Sequence, residues 1–444
     1  MKRAARIGAW CLAAMLAAAA GYTSEAEKQT AGQPPAKQAP GEAASARPLP
    51  AEPAAGKTAR LRATVFEVHL APDRIADLDA QALAAKSGTP ADLQAALEAF
   101  GPTKVLYQAD QAVNLLHDQV TLRKDESFVT GSRMTESGQR QDITQTLPVG
   151  FRVVLSAGDE TGPAPAPRQI GMNIEAAALG KGPRQPALGA DAMVVRTASH
   201  ANRMPVVPGR PIVMVAADAA SPDEQGQAVA YVVRTVIGDA PSGGAKPAAD
   251  AGPTADPPIV RFQGTVYEVH VPAAQAGQID PGALAAKAAS AAEFQKSLAQ
   301  LGRTQPLWAV DQPVGLDSGT IRVSARVPMV TGERPVKGGA MARTVQYIDQ
   351  GVIFAISGTP AKEPGRKGAD VRVTAEAGLA VKSPSETAAP LNPRTAFRNL
   401  NMAHNGPVEF GRPFVMLWLD ASAPDADGQP VAFICRGVLS EVRP

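Results

Sequence analysis

Glu67 and His69 are two residues apart in the segment Thr64-Val65-Phe66-Glu67-Val68-His69, and the pair recurs as Glu268 and His270 in Thr265-Val266-Tyr267-Glu268-Val269-His270. A carboxylate beside an imidazole is a starting set for acid–base work or for part of a metal site. Residues two apart on a strand share a face, so each pair points the same way. Either chemistry needs further ligands, and the sequence places none nearby. The plainer expectation is a polar stripe facing solvent, opposite Phe66 and Val68. Arg210 and Arg412, in Gly209-Arg210-Pro211 and Gly411-Arg412-Pro413, are further candidates for contact with a domain or partner. Their setting suits a tight turn, with Gly permitting positive φ and Pro opening the next strand. Asp110-Gln111 and Asp311-Gln312 are expected between short strands, with each Asp capping a turn through backbone N–H groups.

Other signs of catalysis are thin. No HExxH, GxSxG, P-loop or CxxC pattern occurs, so the expectation is a protein that is not an enzyme and has no metal, cofactor or catalytic residue. The net charge of +2 comes without a basic patch interleaved with aromatics, which argues against nucleic acid as a partner. Cys11 and Cys435 are the two cysteines, and Cys11 lies in the apolar leader described below. A single mature Cys on the apolar run Ala432-Phe433-Ile434-Cys435 reads as a small buried hydrophobe.

What positions these residues is a duplication. At a constant shift of 201 residues Thr64 falls on Thr265, Leu83-Ala84-Ala85-Lys86 on Leu284-Ala285-Ala286-Lys287, Asp110 on Asp311, Val129-Thr130-Gly131 on Val330-Thr331-Gly332 and Gly150 on Gly351. One extra residue later, Gly209-Arg210-Pro211 meets Gly411-Arg412-Pro413. So long a period is a repeated domain rather than a solenoid unit.

The expected organisation is a signal peptide at 1–20, a disordered Ala/Pro-rich tether at 21–60, one repeat at 61–238, a linker at 239–260 and a second repeat at 261–444. Lys2, Arg3 and Arg6, the apolar stretch Ile7 to Ala20 and the small residues Ala18 and Ala20 carry the export reading. Two domains on a flexible linker imply relative motion.

Within each repeat the fold class is read as α+β: a mainly antiparallel sheet with one or two helices near its start. Arg62 to Leu70 and Arg261 to Val271 alternate as opening strands. Thr89, Pro90 and Asp92 cap a helix that ends at Gly101, and Ser290 with Glu293 caps its counterpart, which ends at Gly302. Short strands follow, including Val105-Leu106-Tyr107 and Pro306-Leu307-Trp308. Later strands are crossed by Gly150 and Gly351, which mark a bulge or a close backbone approach. Gly/Pro/Ala-rich stretches near 158–167, 179–191 and 380–392 read as surface loops.

This order resembles the secretin-type domain of bacterial type II and type III secretion systems and pilus machinery. The resemblance rests on Val65-Phe66-Glu67-Val68 and Val266-Tyr267-Glu268-Val269, on strands ending near Thr130-Gly131 and Thr331-Gly332, and on Val345-Gln346-Tyr347-Ile348-Asp349-Gln350-Gly351-Val352. The late Gly-Arg-Pro turn before an apolar strand pair completes it. It implies an oligomeric outer-membrane pore subunit. Two features depart from that pattern: a Pro/Ala-rich tether precedes the first repeat, and Arg133 to Asp142 puts a charged stretch at the centre of the candidate membrane hairpin. The leading expectation is therefore an exported, non-catalytic binding or scaffold protein of the periplasm or outer membrane. Its expected partner is a protein of the cell envelope, membrane association is left open, and the pore subunit is the alternative. An enzyme with a site between the repeats is the third reading.

Overall fold

The computed structural model describes residues 58–114, 119–134, 140–157, 168–183, 193–239, 259–335, 341–361, 367–382, 395–420, 424–425 and 427–442. The expected signal peptide, the tether but for its last residues, and most of the expected linker lie outside these residues. So does His117.

Each repeat builds eight strands and a short helical layer. The first contains β1 (Thr58–Leu70), a 3-10 turn (Pro72–Asp77), α1 (Ala80–Ala85), α2 (Pro90–Glu98), β2 (Thr103–Asn114), β3 (Gln119–Met134) and β4 (Arg140–Ala157). It closes with β5 (Arg168–Lys181), β6 (Met193–Val206), β7 (Pro211–Asp218) and β8 (Ala228–Asp239). The second runs through β9 (Ile259–His270), α3 (Ala273–Ala276), α4 (Pro281–Ala286), α5 (Ala291–Ala299), β10 (Arg303–Gly315), β11 (Gly319–Pro335) and β12 (Met341–Pro360). It ends with β13 (Gly368–Lys382), β14 (Thr395–Glu409), β15 (Pro413–Asp420) and β16 (Val431–Glu441). The protein is thus mostly β with a minor helical layer.

The strands form two antiparallel eight-stranded sheets, ordered β15-β16-β9-β10-β7-β8-β1-β2 and β14-β13-β12-β11-β6-β5-β4-β3. Both sheets pass from one repeat into the other, through β10 against β7 and β11 against β6. The described residues lie in one compact unit. Two domains moving on a linker do not describe this arrangement, because the ladder hydrogen bonds continue across the boundary.

Burial explains the layering. In β13, Val371, Val373, Ala375, Ala377 and Leu379 point inward while Asp370, Arg372 and Glu376 alternate with them, the period-two pattern of a sheet with one covered face. β9, with Val271 just beyond it, places apolar residues on both faces. Val260, Phe262 and Val266 join a core shared by both repeats, and Tyr267, Val269 and Val271 pack with Phe294 and Leu298 beneath the helices. The first sheet therefore lies between the second sheet and the helical layer.

The helix signals act as expected. Thr89 accepts from the Asp92 N–H while the Asp92 carboxylate accepts from the Thr89 N–H, so two of the helix's unpaired donors are met reciprocally. Ser290 accepts from the Glu293 N–H at 3.1 Å. Thr89→Ala is expected to lower the unfolding free energy by about 1 kcal/mol, read from a urea titration.

Three local expectations need correcting. Each repeat adds a further short segment, the 3-10 turn or the four-residue α3, to the one or two helices expected, and Asp79 and Asp280 cap the short helices at Ala80 and Pro281. The strands are longer than expected: Asp110 and Asp311 sit inside β2 and β10, not in turns, because each pairs with an Arg on the neighbouring strand. Thr130 and Thr331 mark register shifts, and β3 and β11 continue beyond them. The Gly-Arg-Pro turns form as read, with Gly209 at φ 79° and Gly411 at φ 83°, where a side chain would strain the backbone.

Candidate functional site

The Glu-x-His pairs lie at the ends of β1 and β9, and in both the imidazole is held between two carboxylates. His69 Nε2 is 2.8 Å from Glu67 Oε1 and its Nδ1 is 2.6 Å from Asp223 Oδ2. His270 Nε2 is 3.3 Å from Glu268 Oε1 and its Nδ1 is 2.5 Å from Asp425 Oδ2. The expected solvent-facing stripe is not there: Glu67, Glu268 and His270 are buried and His69 is partly buried. Burial is possible because each carboxylate has a cationic or hydrogen-bonding partner.

Each third member comes from a distant turn. Asp223 and Asp425 stand at the turns joining β7 to β8 and β15 to β16. Their Oδ1 atoms accept the N–H groups of Gln225 and Gln227, and of Asp427 and Gln429. One oxygen orders the turn and the other holds the imidazole, so each hairpin is tied to the end of the opening strand.

The helix ends are built against the same strands. A Cβ on Gly101 or Gly302 would run into the carbonyl of His69 or His270, which is why the chain passes these points as glycine.

Charge is balanced in both copies by different residues. Lys104 Nζ is 2.6 Å from Glu67 Oε1. In the second copy Gln305 donates to Glu268 at 2.8 Å, while Arg303, 3.2 Å from His270 Nε2, opposes the positive charge of the ring. Ionised carboxylates only accept, so two of them flanking a ring favour its doubly protonated form. Hydrogen bonding to Glu67, and in the second copy to Glu268, pushes the histidine pKa values up against the opposing effect of burial. Burial raises both glutamates, but the hydrogen bonds from the histidines and from Lys104 or Gln305 leave them below the usual carboxylate range.

While it carries both protons, such an imidazole has no lone pair for base catalysis or for a metal. Among the described residues no group of three or more His, Cys, Asp or Glu is arranged to hold a metal ion.

A second polar cluster joins the repeats. Arg261 on β9 forks onto Asp311, with Nε 2.5 Å from Oδ1 and Nη2 also bonded, and reaches Asp79 at 2.7 Å and Gln81 at 3.1 Å in the first repeat. Asp311 Oδ2 also accepts the Ala80 N–H at 2.7 Å. Beside it, the Leu307 carbonyl accepts from Ala219 and Ala220, and Gln350 donates to the Ala220 carbonyl. The same residues in the first repeat, Arg60 and Asp110, pair at 2.6 Å at the surface.

Other sequence candidates stand apart from these clusters. Arg210 is exposed on its turn, and Arg412 pairs locally with Glu409 at 2.6 Å. Buried Cys435 has its thiol pKa pushed up to about 12 by desolvation, the behaviour of an inert core residue. His200 lies between the sheets beside Gln312, lining a cavity of about 20 Å³, and burial lowers its pKa to about 4. His404 stacks on Phe414 with ring centroids 4.6 Å apart.

Asp223 and Asp425 were missing from the sequence candidates. Their signal is present: Pro222-Asp223 with Gly226-Gln227, and Pro424-Asp425 with Gly428-Gln429, match under the shift that aligns the Gly-Arg-Pro turns. Compared with protein-family models, curated proteins and solved structures, the chain matches none.

Proposed function

We infer that this chain is an exported, non-catalytic scaffold or binding protein of the cell envelope, working through protein contacts and without a cofactor. The observation that carries the reading is the pair of shared sheets, whose end strands pair on one side only among the described residues: β2 and β15 in one, β3 and β14 in the other. Edge strands present unpaired backbone groups that another chain can pair with. The duplicated histidines add support, since their hydrogen bonds are spent on holding hairpins to strands.

A second reading, the secretin-type outer-membrane pore subunit, is favoured by the hairpins β3–β4 and β11–β12. Strand β6 accompanies β11 only to Arg326 although β11 continues to Pro335, and β5 accompanies β4 only from Gly150 although β4 begins at Arg140. Hairpins that outrun their sheet have the length a membrane-crossing strand requires.

Fractionation of cells producing the full chain tests both readings. Recovery from the periplasm, or from the membrane after a salt or carbonate wash, supports the scaffold. Detergent-resistant complexes retained in outer membrane favour the pore. Recovery in the cytosol overturns both.

A further inference from the structure

Building on the scaffold reading and naming its partner, we propose that the β2 end of this chain binds the β15 end of a second copy. The docking would repeat between chains the joint that connects the two repeats within one.

The argument starts from matched residues in different surroundings. From Pro306 to Gln312 every residue of β10 is buried, whereas among the matching residues Val105 to Gln111 of β2 only Ala109 is. From Val213 to Asp218 every residue of β7 is buried, whereas Val415, Leu417, Trp418 and Leu419 of β15 are half-open. Leu78 and Ala80 are buried at the joint, and their counterparts Ile279 and Pro281 are partly open. Each surface that the joint covers once inside the chain recurs uncovered at the opposite end.

The ion pairs say the same. The Asp311 side chain is 4% exposed and Arg261 11%, while Asp110 is 46% exposed and Arg60 48%. Inside the chain Arg261 reaches the helix-capping Asp79; the counterpart of Asp79 is Asp280, which caps α4 and is exposed. Arg60 of one copy would therefore meet Asp280 of the next.

Strand register carries over in the same way. The pairs Trp308↔Asp218, Ala309↔Ala217, Val310↔Ala216 and Asp311↔Val215 translate to Tyr107, Gln108, Ala109 and Asp110 of one copy facing Asp420, Leu419, Trp418 and Leu417 of the next. The second sheet has the matching ends β3 and β14. Because the two ends differ, the contact is heterologous and builds a ring or an open chain rather than a closed two-fold dimer.

The test uses two full-length variants, Arg60→Asp and Asp280→Arg, with light scattering across a concentration series. The unsubstituted chain is expected to grow in mass with concentration. Each variant alone should need at least about tenfold higher concentration to do so, because its two ends present like charges to each other. Mixing the variants should restore assembly. The two substituted ends then face each other with opposite charges, and the two unsubstituted ends meet as Arg60 against Asp280. Rescue by mixing cannot come from a folding defect within either chain. A second pair, Arg60→Gln and Asp280→Asn, repeats the weakening without charge reversal should a reversed variant unfold.

A wild-type chain that stays monomeric at all concentrations overturns the proposal, as does assembly that neither variant pair weakens. So does weakened assembly that mixing fails to restore while both variants keep wild-type unfolding transitions. A monomer found in the envelope would remove this partner and leave the scaffold reading standing, whereas a cytosolic location would remove the scaffold reading whatever the mass.

Discussion

Asp311→Ala is expected to lower the unfolding free energy by about 3–5 kcal/mol, while Asp110→Ala, the same substitution in the other repeat, should leave it almost unchanged. The two positions have matching strand contexts and matching arginine partners, Arg60 and Arg261, so the difference is one of environment. Asp311 has a 4% exposed side chain and accepts from Arg261, the Ala80 N–H and, at 3.2 Å, Gln263. Its loss leaves the buried Arg261 guanidinium with Asp79 and Gln81 alone and the Ala80 N–H unmet. Asp110 faces water, which screens its attraction to Arg60 and Arg62 and solvates both arginines when it is removed. Urea midpoints of the two variants against the parent chain read the difference. Equal effects would mean that the repeats are not joined through this cluster.

That contrast also marks what could be read before the fold was known. The repeat located the opening strands, the capped helices and the Gly-Arg-Pro turns, because each depends on neighbours close in sequence. The joint could not be read this way. Strand β10 pairs with β7 across four residues, and their alternation would look the same if β7 were an open edge like β15. Fusion of two similar halves depends on which edge meets which, and no local pattern encodes that choice. Asp110 and Asp311 were misplaced for a related reason: an Asp in a strand reads as a break until its arginine, 50 residues earlier, is found beside it. The histidine clamps were half legible. Glu67 with His69 and Glu268 with His270 stood out by repetition, yet their burial follows from Asp223 and Asp425, which lie 154 and 155 residues from the histidines.

The second large effect is expected at those clamps. His270→Ala should cost about 3 kcal/mol near pH 6, because it leaves two carboxylates close together with only Arg303 and Gln305 to offset them. The effect should also depend on pH. The folded-state pKa of His270, like that of His69, lies above the ordinary value of 6.5, so the unfolded chain releases the proton first as pH rises. The histidine contribution is then fully present below about 6.5 and is lost as pH climbs through the folded value. Glu67 and Glu268 lie below their ordinary value of 4.5, so their contribution is present above it and is lost as pH falls through the folded value. The clamps therefore stabilise most strongly between about pH 4.5 and 6.5. Urea midpoints measured from pH 5 to 9 should fall for the parent chain above pH 6.5. A chain carrying both His69→Ala and His270→Ala should start lower and lose that slope. A parallel decline in the two chains would show that the imidazoles are not held as cations between Glu67 and Asp223 or between Glu268 and Asp425.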